Sequence, residues 1–131
     1  MKQADRAENW TKLVFRQGTL YRLPEKELFV VLINHNPLKE ESLLFRLSRE
    51  AVAGGWPLNT ERIPVLGGRS YYVDLNSAGV VTLDQLIEVR KVGLWQDCGD
   101  LPSTETAGML GLLLRNPALP EEWRPLLEEL A

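Results

Sequence analysis

The chain has 131 residues, enough for one domain with a buried core, and 44% apolar with 25% charged residues is the composition of a folded protein, not a disordered one. Its single cysteine, Cys98, excludes an internal disulfide and a cysteine-based zinc site, and its single histidine, His35, excludes a histidine-based one. Net charge is −3, and residues 117–131 hold four glutamates against Arg124, so nothing resembles the basic balance of a protein that grips duplex DNA.

Residues 1–12 are polar and mixed in charge, with Trp10 as the one large apolar group, and read as an N-terminal arm. From Leu13, "LVFRQGTLYRL" reads as a strand broken or bulged at Gly18, and "PEKE" (24–27) as a turn. "LFVVLINH" (28–35) is apolar on both faces, the mark of a central strand. Its run "LFVVLI" is the longest in the chain and too short to cross a bilayer; with no signal-peptide pattern, the expected location is cytoplasmic and no membrane contact is expected.

After a loop over 34–42, "LLFRL" (43–47) predicts another strand, and 48–61 an irregular connection. "RIPVL" (62–66), Gly67-Gly68 and "SYYVDL" (70–75) read as a β-hairpin, with "NSAG" (76–79) turning the chain again. In "GVVTLDQLIEVRKVGLWQDCGDL" (79–101), Val81, Leu83, Leu86, Ile87 and Val89 give a β-pattern with Asp84 and Gln85 on opposite faces, followed by a Gly-Asp-Leu turn. A helix over 103–115, with Ser103 as its N-cap, is apolar round most of its circumference, and Gly108 and Gly111 allow close approach to a neighbour. In the acidic tail, Trp123, Leu126, Leu127 and Leu130 form one stripe after a turn at Pro120. The expected fold is mainly β: a small curved antiparallel SH3-like barrel with a buried helix after the last strand and a short C-terminal helix.

In this order, "RQGTLYRL" (16–23), "LFVVLINH", "LLFRLSRE" (43–50) and above all "VTLDQLIEVRKVGLWQDCGDLPSTETAGMLGLLL" resemble the MazF/PemK toxin family, small ribonucleases of toxin–antitoxin systems with a CcdB-type SH3-like barrel. The resemblance covers residues 13–116, leaving 1–12 as an arm and 117–131 as an acidic amphipathic tail. It implies action on single-stranded RNA, a homodimer, an antitoxin protein as partner, and no cofactor or metal. Glu27 and Leu28 stand where the family has a glycine-rich loop and its catalytic Arg-Pro pair. That departure leaves ribonuclease activity open, and the alternative is a catalytically degenerate fold acting as a protein-interaction module.

Metal-independent RNA cleavage needs a base, an acid and donors for the phosphorane charge. Ser48, which matches the family's Thr/Ser after its third strand, with His35 and Arg49 are the candidate catalytic residues; Arg46, Trp56 and Arg69 are the candidate RNA contacts. Tyr71 and Tyr72 are further stacking candidates. The structural alternatives are a strand-capping His35, a turn-forming Ser48, arginines on a solvated face and aromatics in hairpin packing. The tail has two readings: a built-in acidic peptide facing Arg46, Arg49, Arg62 and Arg69, or a helix that covers the open end of the barrel.

Overall fold

The computed structural model describes residues 17–36, 40–117 and 119–130, without the side chains of 34–36 and 130. The arm at 1–12, with Trp10, lies outside the described residues, as do Leu13–Arg16 of the first expected strand and part of the 34–42 loop. The architecture is mainly β, a six-stranded antiparallel sheet curled into a half-barrel. Strands β1 (Thr19–Leu23), β2 (Leu28–Asn36), β3 (Glu41–Ser48), β4 (Trp56–Pro57), β5 (Tyr72–Thr82) and β6 (Gln96–Asp100) lie in the order β4-β5-β3-β2-β1-β6.

β1 turns into β2 through a 3-10 turn at Pro24–Lys26, closed by Glu27 in the left-handed region (φ 48°). Side chains alternate along a strand, so β2 sends Phe29, Val31 and Ile33 to one face and Val30 and Leu32 to the other. Both faces are covered, which is why this strand is apolar throughout.

On the first face, Leu20, Val31, Phe45 and Leu47 pack with Met109, Leu110 and Leu113 of helix α2 (Ser103–Leu114) and with Leu127 of helix α3 (Arg124–Leu130). Gly18 (φ 71°) hydrogen-bonds Leu32 O and receives the Leu101 N–H, and a Cβ there would overlap Thr106 Oγ1 of α2. On the second face, Tyr21, Val30, Leu32 and Val81 pack under Leu83 and Leu86 of helix α1 (Leu83–Lys91). Arg90 at the end of α1 donates to Tyr21 Oη at 3.2 Å, lies 5.7 Å above its ring and approaches Asp97 Oδ2 at 3.7 Å.

Several sequence expectations are corrected. Residues 62–75 form no hairpin: Pro64–Leu66 is a 3-10 turn with proline at its start, closed by Gly67 at φ 64°, and β5 pairs instead with β3 and β4. "NSAG" does not reverse the chain but lies inside β5. There four residues, 75–78, face Phe45 alone, and the gap is filled when Ser77 Oγ accepts the Arg46 N–H (2.9 Å) and donates to Asp74 O (2.7 Å). Asp84 and Gln85 lie in no strand but in the first turn of α1. Thr82 accepts from the Gln85 N–H (3.2 Å) while Gln85 Oε1 accepts the Thr82 N–H (2.9 Å), a capping box. Asp84 is exposed beside the helix N-terminus, where a negative charge is favoured. What read as a Gly-Asp-Leu turn includes the end of β6, and Pro102, not Ser103, caps α2. In the C-terminal stretch, Leu119 and Leu127 are buried in the first-face core.

Candidate anion-binding groove

Three arginines far apart in sequence meet at one end of the half-barrel. Arg22 of β1 and Phe29 of β2 are direct cross-strand partners on the first face. Arg49 follows β3, and Arg69 and Tyr71 close the connection that returns to β5. Within that connection Ile63 and Leu66 are buried, which anchors the 3-10 turn and leaves Val65 exposed at the rim. Together with Glu27 and the 65–67 turn these residues line a groove of about 630 Å³.

The groove carries three guanidinium groups and one carboxylate, so its local charge is positive in a chain that is acidic overall. Among the described residues, none of the four is in an ion pair. The Arg49 guanidinium lies 5.4 Å over the Tyr71 ring, and Phe29 meets that ring edge-on at 5.8 Å and 81°. Arginine forks match the paired oxygens of a phosphate, and an aromatic face beside them suits a base or another planar group. The arrangement can therefore hold a phosphate-bearing ligand by charge and flank it by stacking.

Of the six residues singled out from sequence, Arg49 and Arg69 reach the groove. Arg46 is exposed on the second face, opposite Val30 and Asp74. Ser48 is half-buried at the end of β3, and its Oγ accepts the Glu50 N–H at 3.1 Å, a local turn contact. His35 lies near the far end of β2, and its side chain is outside the described residues. Its backbone is six positions beyond Phe29, roughly 20 Å at about 3.3 Å per residue. Register puts Ser48 near Leu28, so Ser48 and His35 sit at opposite ends of the β2–β3 ladder and do not form one catalytic set. Trp56 is turned away from the groove, its Nε1–H donating to Glu105 Oε2 of α2 at 2.6 Å.

Sequence reasoning missed Arg22, Glu27 and Phe29. The available signal was the alternation in "TLYRL", which puts Arg22 on the face of Leu20. Among the described residues no group of three or more His, Cys, Asp or Glu could hold a metal ion, and no helix is long and apolar enough to cross a membrane. Compared with known proteins, the chain matches no family model, no curated protein and no solved structure.

Proposed function

We propose that the chain binds single-stranded RNA in the arginine groove, as its resemblance to the MazF/PemK toxins implies, and cleaves it weakly or not at all. The observation that carries this reading is the convergence of Arg22, Arg49 and Arg69, none of them in an ion pair among the described residues, beside Tyr71. Weak cleavage follows from the separation of Ser48 from His35 and from Glu27 and Leu28 standing at the start of β2 in place of the family's Arg-Pro pair. Losing one charge-stabilising donor costs such a site about 100- to 1,000-fold in rate. Homodimerisation and an antitoxin partner belong to the same proposal. The apolar residues of α2 are largely covered within the protomer, so a surface open to a second copy is the α1–β6 turn, where Val92 is 59% and Leu94 41% exposed.

The test is fluorescence anisotropy with a labelled, unstructured RNA at several salt concentrations. Three phosphate contacts predict a slope of log K against log salt of roughly −2, and Arg49→Ala or Arg69→Ala each reduces it by about 0.7. Binding that ignores salt or survives both substitutions sinks the reading. Preference for an acidic peptide over RNA transfers the groove to the protein-interaction alternative. Efficient cleavage abolished by Ser48→Ala overturns the weak-cleavage half.

A further inference from the structure

Six of the nine residues that line the groove belong to the 49–71 connection, so whatever fixes that connection fixes the groove. Its one strand, β4, pairs Trp56 with Val73 and Pro57 with Tyr72 at the sheet margin. On the opposite side it is seated on α2 by a carboxylate that is itself only 8% exposed. Glu105 Oε2 accepts the Trp56 indole N–H at 2.6 Å, and Oε1 accepts the Asn59 backbone N–H at 2.9 Å. Gly108, three residues further on the same helix face, makes room for the indole; a Cβ there would overlap Trp56 Cη2 and Cζ2. Between the two anchored residues, the Leu58 N–H donates to Tyr71 O at 3.0 Å. A continuous path therefore runs from Glu105 through Trp56 and Asn59 to Leu58, then to Tyr71 and the Arg49 guanidinium stacked on it.

We propose that Glu105 is a positioning residue of the groove: from its buried place on α2 it sets where Tyr71, and with it Arg49, stands. Trp56 then contributes to ligand binding through the connection and not by stacking on the ligand. The affinity readout below rests on the RNA reading; the spectroscopic readouts do not.

Glu105→Gln keeps the side-chain volume but offers one acceptor oxygen where two donors converge, so one of them is left unpaired. Trp56→Phe removes the indole donor, and the Glu105→Gln/Trp56→Phe pair removes the conflict between two donors, with the glutamine oxygen facing Asn59. On the full chain, hydrogen exchange of the Leu58 amide, the NMR shift of Arg49 Nε–H under the Tyr71 ring current, and the dissociation constant for labelled RNA are compared. In Glu105→Gln, Leu58 exchange is expected to rise on the order of ten-fold relative to β2 and β3 amides, with RNA affinity falling by a similar factor. The Arg49 signal moves towards its unstacked position, and the double variant loses less than the sum of the single changes. An unmoved Arg49 signal, or exchange that rises equally across β2 and β3, overturns the proposal, as does unchanged RNA affinity in a variant whose Arg49 signal has moved. If the spectroscopic changes appear but the parent protein binds no RNA, the RNA reading falls and the positioning role stands.

Discussion

The second face of the sheet is covered by α1, which begins at the residue after β5 ends, whereas the first face is covered by α2 and α3, which arrive from the far end of the chain. Thr82 both finishes β5 and caps α1, so strand, cap and helix form one local unit. The first face has no such economy. It depends on Leu119 and Leu127 from the last 15 residues, and on Glu105 reaching across to a connection some 50 positions earlier. The groove lies on this non-locally closed side, because Arg22 and Phe29 share a face with Leu20 and Val31. The groove is thus built where closure is non-local, and its integrity is tied to the C-terminal helices.

The first face is most vulnerable at the chain end. Truncation after Asn116 removes Leu119 and Leu127, each worth about 2–5 kcal/mol to a core, against a total stability of about 5–15 kcal/mol. Calorimetry is expected to show a large loss of melting temperature or no folding transition, with no new RNA binding. A truncated chain that keeps its melting temperature and gains salt-sensitive RNA binding would make the tail an occluding acidic peptide after all. Local closure is probed by Thr82→Ala, expected to cost about 0.5–2 kcal/mol and to lower the melting temperature by a few degrees. Its enhanced amide exchange should be confined to α1; spread to α2 would mean that the two faces are not independently closed.

The smallest effect concerns Cys98 of β6, half-buried against the first-face core. Burial, aided by the nearby Asp97 charge, pushes its thiol above the ordinary 9.0, in spite of opposing contributions from Arg22. The folded protein thus keeps the proton to higher pH than the unfolded chain, so the associated stability is present at neutral pH and is lost as pH rises past the free-thiol value. Alkylation by iodoacetamide at neutral pH should be slower than for a free cysteine peptide, with the rate climbing only in alkaline solution. Equal rates for protein and peptide would show that the first-face core does not reach β6.

The central strands were legible because burial on both faces leaves a continuous apolar run at 28–33. α1 was misread because its buried Leu83 and Leu86, with the half-buried Ile87, also fit a loose strand pattern. The deciding signal was Thr82 three residues before Gln85, a cap whose meaning appears only when the helix is considered. The hairpin at 62–75 failed on Pro64, which fits the first position of a 3-10 turn better than a paired strand. The groove was half legible. Arg49 and Arg69 could be named, but their meeting with Arg22 depends on strand order, which no local window contains. Trp56 was named for its ring, while its indole N–H and the glycine beneath it decide its place.

The strand order also bears on solubility. With both faces covered, the places where another chain could add to this sheet are its margins, and neither outermost strand invites that. β4 is two residues long and contains Pro57, which has no N–H to offer. β6 carries Asp97 and Asp100, and Gly99 is twisted to φ 89°, so a flat, extended partner would meet charge and a bend. Short, acidic and kinked margins discourage open-ended strand stacking between copies.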